Sequence, residues 1–233
     1  MSPKILIIIP AYNEERHIGK VIAEVRCFRP DVDVVVINDC SRDDTADRAQ
    51  EAGAKIISLP INLGIGGAVQ TGFIYAFLNK YDIAIQVDGD GQHDPRYIPQ
   101  LVQPILENQA DVVIGSRFLE KKGYQSTFWR RCGIRLFTLA YLTLIHQKIT
   151  DGTAGFRAYN LKAITLLKES YAVDFPEPEA VILLAKRRLR IKEIPVEMRE
   201  RMGSISSITG FKSAYYMVKV LLAIVMEYFR KSK

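Results

Sequence analysis

Short apolar runs recur along the chain, and each of them ends close to a Gly, Pro, Asn or Asp residue. The clearest runs are KILIII, DVVVI, KIISL, IAIQV and DVVIG, which begin at residues 4, 33, 55, 83 and 111. Stretches with helical periodicity separate these runs. Uninterrupted Val and Ile runs that alternate with helices are typical of buried parallel strands in βαβ units. The pattern therefore predicts an α/β fold with a doubly wound sheet over the first half of the chain.

The helical periodicity continues beyond this sheet, although the second half of the chain is less regular. Helices are predicted over residues 14–28, 43–52, 66–79, 96–108, 128–145, 160–169 and 177–188. A further strand is predicted for RIKEIPVEM, which begins at residue 190. No internal repeat or low-complexity linker divides the sequence. We therefore expect one domain over residues 1–210 and a C-terminal amphipathic helix over residues 211–233.

Polar residues concentrate at the predicted strand ends. In doubly wound sheets, ligands bind beyond the carboxyl ends of the strands, and those ends carry PAYNE, NDCSRDDT, NLGIGG, DGDGQ and GSRF here. Pro10 ends the first strand, and Asn13 either caps the next helix or faces a ligand together with Glu14. Asp39 ends the second strand, and a helix-capping role explains it less well than it explains Asp43.

The stretch DGDGQ, which follows the run IAIQV, indicates a metal site. Asp88 and Asp90 stand one residue apart, and two carboxylates this close repel each other unless a positive charge lies between them. Mg²⁺ and Mn²⁺ take oxygen ligands, usually a carboxylate or two plus substrate phosphates. Gly89 lets the backbone approach a bulky ligand, and Gln92 adds a neutral oxygen. A solvated turn is the alternative, because Asp-Gly is a common turn pair.

Composition narrows the class of protein. The chain has 233 residues, of which 48% are hydrophobic, and a net charge of +6 with a pI of about 9.2. This basic balance favours anionic partners such as phosphorylated ligands or an anionic membrane surface. Nucleic acid is not expected as a partner, because the sequence has no basic helix or aromatic platform of the usual kinds. Sparse cysteines without CxxC spacing argue against disulfides or zinc and indicate a reducing, cytosolic setting.

The order of the motifs resembles that of a known family. PAYNE, NDCSRDDT, NLGIGGA and VDGDGQHDP follow successive strands, as they do in family-2 glycosyltransferases with the GT-A fold. GSRF and DGTAGFRAY then resemble the branch that contains dolichol-phosphate mannose synthase and bacterial polyprenyl-phosphate glycosyltransferases. The resemblance extends over about residues 4–210. It implies a Rossmann-like, mostly parallel sheet flanked by helices, and transfer of a sugar from a nucleoside diphosphate.

The resemblance also implies roles for residues at the donor site. In the family, a DXD motif and a nearby glutamine hold Mg²⁺ or Mn²⁺ on the donor diphosphate. The matching positions in this sequence are Asp88, Asp90 and Gln92. The positions that match the family's contacts to the nucleotide sugar are Pro10, Tyr12, Glu14, Asp39, Asp88 and Gly89. Ile65 stands where many relatives have lysine, so the nucleotide base and the sugar stay open.

At the acceptor site, the resemblance implies a cluster of arginines. Arg117 falls where the branch holds the phosphate of its lipid acceptor, and Arg130 or Arg131 matches a second arginine on the next segment. Arg201 and Ser206 match a loop that closes over the site in the family. Two further positions of this loop depart from the family pattern, which leaves its contacts open. The acceptor implied is a polyprenyl phosphate.

Asp151, in DGTAGF, has two interpretations that depend on the acceptor. A phosphate acceptor is already ionised near neutral pH, with a second pKa of roughly 6, and needs positioning rather than a strong base. A hydroxyl acceptor would instead require a carboxylate base, for which Asp151 is the candidate. The branch resemblance favours a phosphate acceptor and a structural Asp151 that fixes Arg157 and its loop. Asp90, Arg117 and Asp151 are the candidate catalytic residues, and His93 is a candidate contact to substrate or metal.

The C-terminal segment FKSAYYMVKVLLAIVMEYFRKSK is strongly apolar. On a helix, Lys212, Ser213, Lys219, Glu227 and Arg230 fall on one face and the rest is apolar, which predicts a helix that lies on a membrane surface. Packing against the domain or a partner is the alternative, and a small integral membrane protein is a candidate partner. No uncharged apolar stretch reaches the roughly 18–20 residues of a membrane span. The expected location is cytoplasmic, peripheral at the cytoplasmic face of the membrane.

Overall fold

The computed structural model describes residues 2–120, 128–199 and 211–230, with the backbone alone for residues 128–132, 211–214 and 216. The strands are β1 Ile5–Ala11, β2 Asp33–Asn38, β3 Lys55–Ser58, β4 Ile83–Gln86, β5 Val112–Ser116, β6 Arg157–Asn160 and β7 Ile191–Pro195. Within the described residues, these strands form one seven-stranded sheet in the order β3-β2-β1-β4-β6-β5-β7.

The sheet is mostly parallel, which confirms the predicted α/β class. β1 pairs in parallel with β2 and β4, β2 with β3, and β5 with β7. β6 is the exception, since it lies between β4 and β5 and runs antiparallel to both. The sequence pattern does not predict β6, because RAYN contains no apolar run and begins with the buried Arg157. Its place in the sheet depends on flanking strands that are distant in the sequence.

Helices cover both faces of the sheet. They are α1 Ile18–Phe28, α2 Thr45–Glu51, α3 Gly64–Leu78, α4 Ile98–Leu106, α5 Phe128–Ile145, α6 Leu161–Leu167, α7 Pro176–Lys186 and α8 Phe211–Phe229. Asn13 does not cap α1: its φ is 54°, its N–H donates to Ser41 Oγ at 3.0 Å, and its side-chain oxygen accepts the Arg42 N–H at 2.8 Å. These bonds join the loop after β1 to the loop after β2.

Apolar side chains fill the space on each face of the sheet. Ile8 of β1 belongs to a buried cluster with Phe73 of α3, whereas its neighbour Ile7 belongs to a second cluster with Ile22 of α1 and Leu101 of α4. Strands covered on both faces must be apolar throughout, which explains the uninterrupted runs in the sequence. In β1, β2 and β4, polar side chains therefore stand only at the strand ends.

The C-terminal helix α8 packs along α5 and α7, and its Val220 and Ile224 are buried in the core. Lys186 of α7 donates from Nζ to the carbonyl oxygens of Glu227 at 2.8 Å and Arg230 at 2.7 Å. These bonds satisfy carbonyl groups at the end of α8. The Glu227 side chain is buried as well, so the charged face predicted for this helix is not exposed at Glu227.

The opposite side of α8 exposes a row of apolar side chains, which we call the α8 stripe. Its members are Tyr215, Val218, Leu222, Met226 and Phe229, each between 56% and 73% exposed. They recur every three or four residues and so share one side of the helix. Among the helices that the structure describes, none is both long and apolar enough to span a membrane.

A cavity of about 340 Å³ lies between α7 and α8, with the half-buried Glu179 in its wall. Burial raises the pKa of Glu179 to about 7; the carboxylates of Glu227 and Asp174 act in the same direction, and Arg230 opposes them. Between its ordinary 4.5 and this raised value, the native state holds a proton that the unfolded chain releases. The free energy of unfolding therefore falls as the pH rises through that window.

We expect Glu179→Gln to raise the melting temperature by about 2–4 °C at pH 8 and to change it little at pH 4. Glutamine keeps the shape of the side chain and removes the charge that burial opposes. Solvent reaches this site, so the gain is on the order of 1 kcal/mol. Thermal unfolding of the wild type and the variant at both pH values measures it, with Glu51→Gln on the exposed surface of α2 as the control. An equal gain at both pH values would contradict the prediction.

Candidate active site at the carboxyl edge of the sheet

A cavity of about 190 Å³ opens at the carboxyl edge of the sheet, beside the ends of β1, β2 and β4. Its lining residues are Pro10, Ala11, Tyr12, Glu14, Asp39, Ile65, Ala68, Asp88, Gly89 and Asp90. All the residues that the sequence suggested for nucleotide-sugar binding are among them. Parallel strands bring their carboxyl ends to one edge, and this topology gathers residues from four separate segments of the chain.

Asp39 is a fixed part of the cavity wall. It is buried, and its two carboxylate oxygens accept the backbone N–H groups of Leu63 at 2.7 Å and Gly64 at 2.9 Å. These groups lie at the start of α3, where a carboxylate is stabilised by unpaired amides and the helix dipole. Gly64 has a φ of +76°, a conformation that glycine adopts without strain. Asp39 thus caps a helix that begins more than twenty residues later.

The turn that follows β4, residues 88–94, is held by its own side chains. Gln92 donates its backbone N–H to Asp90 Oδ1 at 3.0 Å, and Asp94 accepts the Arg96 N–H at 3.0 Å. Gly91 has a φ of +78°, so the turn needs a glycine at this position. Asp88, Asp90 and Gln92 are therefore presented by an ordered turn.

His93 orients Asp88. Asp88 donates its backbone N–H to His93 Nδ1 at 3.0 Å, and His93 Nε2 lies 3.4 Å from Asp88 Oδ2. The ring is buried and stacks on Phe156 with centroids 4.8 Å apart. Burial lowers the pKa of His93 to about 4, although Asp90 opposes this shift. The imidazole is consequently neutral at pH 7, with Nδ1 as the acceptor and Nε2 protonated toward the carboxylate.

Gly155 provides a close approach to the same carboxylate. A Cβ at this position would lie 3.1 Å and 3.2 Å from the two Asp88 carboxylate oxygens and 3.0 Å from Gln86 Nε2. These separations are tighter than ordinary van der Waals contact, so a larger residue would displace Asp88. Gly155, the second glycine of DGTAGF, therefore leaves room for the Asp88 side chain in the acidic turn.

The groups at the turn suit a hard divalent cation. Asp88 and Asp90 both line the cavity, and the backbone N–H of Gln92 donates a hydrogen bond to Asp90 Oδ1. In the part of the chain that the structure describes, no three His, Cys, Asp or Glu side chains form a cluster able to hold a metal. Two carboxylates and one amide leave coordination positions for oxygens of a substrate, which is how Mg²⁺ is usually bound beside phosphates. The residues present fit a cation shared with a diphosphate.

Arg117 and Asp151 form a buried ion pair. Arg117 donates from Nε to Asp151 Oδ2 at 2.6 Å and from Nη2 to Oδ1 at 2.7 Å; the side chains are 18% and 0% exposed. Burial opposes the charge on Arg117, but Asp151 and then Asp88 outweigh it and raise the pKa of Arg117. Glu193 accepts the backbone N–H groups of Thr150 and Asp151 and so fixes this loop. Asp151 is held on both oxygens.

Arg157 is also buried, but it does not pair with Asp151. It donates from Nε to the carbonyl oxygen of Ala154 at 2.7 Å, from Nη1 to that of Glu177 at 3.0 Å and from Nη2 to that of Gly152 at 2.8 Å. The prediction that Asp151 fixes Arg157 is therefore wrong: Asp151 fixes Arg117. Arg157 instead shapes the DGTAGF loop and ties it to the start of α7.

Glu177 is a member of the site that sequence patterns do not identify. Its Oε1 accepts Gln86 Nε2 at 3.3 Å. Burial raises the pKa of Glu177, Arg157 opposes the shift, and Asp88 adds to it. In the sequence it follows Pro176 at a helix start, where an acid needs no other role. The local sequence therefore indicates only a helix start. The tertiary fold brings this carboxylate close enough to Asp88 for their charges to interact.

Four predicted acceptor residues cannot be compared with this geometry. Arg130 and Arg131 lie in the first turn of α5, where the structure describes the backbone alone. Arg201 and Ser206 lie outside the described residues. The predictions for these positions therefore stay predictions.

The mostly parallel sheet with an acidic turn at its carboxyl edge agrees with the GT-A fold of glycosyltransferases, and the comparisons with known proteins establish that class. A family model described as "Glycosyl transferase family 2" matches residues 6–167, and the chain belongs to this family. The resemblance to the polyprenyl-phosphate branch is confirmed too, because relatives along nearly the whole chain bear names from that branch.

Two relatives and one solved structure illustrate the similarity. The chain is 31% identical over 219 residues to an undecaprenyl-phosphate mannosyltransferase of Micrococcus luteus, covering 89% of this chain and 88% of that one. It is 29% identical over 252 residues to a UDP-N-acetylglucosamine–dolichyl-phosphate N-acetylglucosaminyltransferase of Methanococcus voltae, covering 97% and 100%. Glucosyl-3-phosphoglycerate synthase from Mycobacterium tuberculosis, crystallised with Mn²⁺, UDP and phosphoglyceric acid, has a TM-score of 0.75 at 19% identity and covers 100% of this chain and 81% of that one. This last similarity shows the fold.

Proposed function

We propose that this enzyme transfers a hexose, with inversion, from a nucleoside diphosphate sugar to a polyprenyl phosphate. The observation that carries the proposal is the Arg117–Asp151 pair. It holds a buried guanidinium close enough to Asp88 for their charges to interact. Because Nε and Nη2 of Arg117 already donate to Asp151, Nη1 is the donor that would meet a phosphate oxygen in a charge-assisted hydrogen bond. The relatives named for lipid-phosphate acceptors support the same conclusion.

At the donor side, Asp88, Asp90 and Gln92 would hold Mg²⁺ or Mn²⁺ on the donor diphosphate. When bound, the cation supplies charge neutralisation for the leaving nucleoside diphosphate. The residues that line the cavity beside the turn would grip the nucleotide sugar: Pro10, Tyr12, Glu14, Asp39 and Gly89. His93 keeps Asp88 oriented for this purpose.

At the acceptor side, positioning replaces base catalysis. Both oxygens of Asp151 are engaged by Arg117, which leaves Asp151 poorly placed to remove a proton from a hydroxyl group. An ionised phosphate needs no such base, since it needs only charge screening and orientation beside the donor. The family resemblance adds Arg130, Arg131, Arg201 and Ser206 as further acceptor contacts in this proposal. A glycan or other hydroxyl acceptor is the alternative.

The test is a transfer assay with purified protein, MnCl₂, polyprenyl phosphate and a panel of radiolabelled UDP-glucose, UDP-N-acetylglucosamine and GDP-mannose. We expect label from one donor in the organic phase, lost when EDTA is added. A parallel arm replaces the lipid with 3-phosphoglycerate, the acid bound in the structural neighbour. Label that stays in the aqueous phase with polyprenyl phosphate and all three donors would refute the lipid-phosphate proposal.

The proposal includes a cytoplasmic, peripheral location, with the α8 stripe on the membrane surface. Val220 and Ile224 anchor one side of α8 in the core, while the stripe faces away from it. The exposed Lys219 and Arg230 provide positive charge on the same helix, which suits anionic lipid headgroups. Such an arrangement would keep the enzyme at the membrane that contains a lipid-linked acceptor. A small integral membrane protein is the alternative occupant of the stripe.

We expect the double substitution Leu222→Asp with Met226→Asp to lower binding to anionic vesicles by on the order of tenfold or more, because two apolar side chains that would enter the membrane surface are replaced by charges. These residues are 56% and 71% exposed, so the fold should tolerate the change. The matched control is Leu78→Asp with Leu106→Asp, which are 70% and 51% exposed on α3 and α4. Flotation with protein-free vesicles measures binding. Equal flotation of both variants and the wild type would remove the stripe from the proposal.

A further inference from the structure

Residues 196–199, which follow β7, run beside the acidic turn. Met198 forms an antiparallel bridge with His93. Arg199 donates its backbone N–H to the carbonyl oxygen of Gln92 at 2.9 Å, and Gln92 Nε2 approaches the carbonyl oxygen of Arg199 at 3.4 Å. This segment therefore holds Gln92 by both its backbone and its side chain.

The Arg199 side chain extends the connection to α1. Its Nη1 donates to Glu24 Oε2 at 2.5 Å, and its Nη2 lies 3.3 Å from Oδ1 of the buried Asp94. One guanidinium thus bridges a carboxylate on α1 and a carboxylate in the turn. A planar fork with several donors can do this, whereas an ammonium group is a single compact charge.

The ion pairs of Arg199 cross an open space between α1 and the turn. A cavity of about 220 Å³ lies between α1 and the turn, lined by His17, Lys20, Val21, Glu24, Asp90, Gly91 and Arg199. Dispersion contacts across such a space are weak, so the ion pairs of Arg199 are the stronger connection between α1 and the turn there. Gln92 in turn donates its backbone N–H to Asp90 Oδ1. This hydrogen bond links Arg199 to the second aspartate of the turn.

We propose that Arg199 is a positioning residue for the cation-binding turn, acting through Gln92 and Asp90. The inference rests on the proposed function, in which these residues hold Mg²⁺ or Mn²⁺. Gln92 Nε2 approaches the main-chain carbonyl oxygen of Arg199, so the amide presents its oxygen as the ligand atom. The ion pairs of the Arg199 side chain with Glu24 and Asp94 hold that main chain in place. Residues that orient metal ligands commonly change metal affinity about 10–100-fold when they are replaced. No sequence motif marks Arg199.

The experiment titrates MnCl₂ in the transfer assay and, separately, measures Mn²⁺ binding to the protein alone by calorimetry. We expect Arg199→Ala to raise the Mn²⁺ concentration for half-maximal activity by roughly tenfold, with kcat at saturating Mn²⁺ within about twofold of the wild type. Arg199→Lys should lie between them. The matched control is Arg29→Ala. It removes another arginine–carboxylate pair, in which Arg29 Nη2 lies 2.7 Å from Asp31 Oδ2, at the C-terminal end of α1. It should leave the Mn²⁺ dependence unchanged.

Two results would overturn the inference while leaving the proposed function intact. One is a Mn²⁺ dependence of Arg199→Ala that superimposes on those of the wild type and Arg29→Ala. The other is a loss of activity that saturating Mn²⁺ does not restore, accompanied by a lower melting temperature, since that would be a general structural role. A wild-type enzyme whose transfer needs no divalent cation would instead refute the proposed metal site, and the inference with it.

Discussion

Replacing Asp90 by asparagine should lower kcat/KM for sugar transfer by on the order of a thousandfold, equivalent to about 4 kcal/mol of transition-state stabilisation. The amide keeps an acceptor for the Gln92 N–H, which now bonds to Asp90 Oδ1, so the turn should keep its shape. What is lost is one of the two negative charges that would hold the cation on the donor diphosphate. Initial rates at saturating and at limiting Mn²⁺ measure the effect.

Asp82→Asn is the matched control for this substitution. Asp82 stands just before β4, at the opposite end of the strand that leads to Asp90, and its Oδ2 accepts the Lys4 N–H at 2.7 Å. The control therefore removes the same charge beside the same strand, at the end away from the carboxyl edge. Transfer by Asp90→Asn at a rate like that of Asp82→Asn would mean that the acidic turn does not hold a catalytic cation.

Replacing Asp151 by asparagine should lower the free energy of unfolding by about 3–5 kcal/mol, because it leaves the charge of Arg117 buried without its partner. Asp151 is 0% exposed and receives two charge-assisted bonds from Arg117. An asparagine would turn a donor group toward the guanidinium. For a chain of this size, the loss corresponds to a fall in melting temperature on the order of 10 °C. Urea unfolding and thermal unfolding both measure it.

The pair can also be replaced as a unit, which separates stability from catalysis. Arg117→Met combined with Asp151→Leu removes both charges, and we expect it to recover most of the stability lost in Asp151→Asn. Transfer to a lipid phosphate should stay lost in the double variant, because the phosphate partner is gone. If Asp151→Asn instead unfolds like the wild type and loses only transfer to a hydroxyl acceptor, Asp151 is a general base and the acceptor is a glycan.

Several features were predictable because they depend on short stretches of sequence. The continuous Val and Ile runs predict β1 to β5 close to their observed positions, since a strand covered on both faces must be apolar throughout. The turn DGDGQ signals a cation site because closely spaced carboxylates need a counter-charge. Even so, local patterns predicted the start of α1 too early, because Asn13 bonds to the next loop instead of capping the helix.

Other features depend on residues that meet only in the folded chain. β6 exists because β4 and β5 flank it, and neither neighbour is near it in the sequence. Asp151 pairs with Arg117 rather than with Arg157 because β5 ends beside the DGTAGF loop. Glu177 and Arg199 join the site through α7 and through the segment after β7, and their neighbours in sequence give no sign of it.

The sequence by itself determined the α/β class, the family and the edge of the sheet at which the chemistry lies. Burial of apolar runs and repulsion between carboxylates are local properties, and the order of residues is enough to reveal them. The tertiary structure decided which charges pair, which carboxylates cap helices and which residues support the acidic turn. Those outcomes depend on distances between segments far apart in the chain, and only the completed sheet sets these distances.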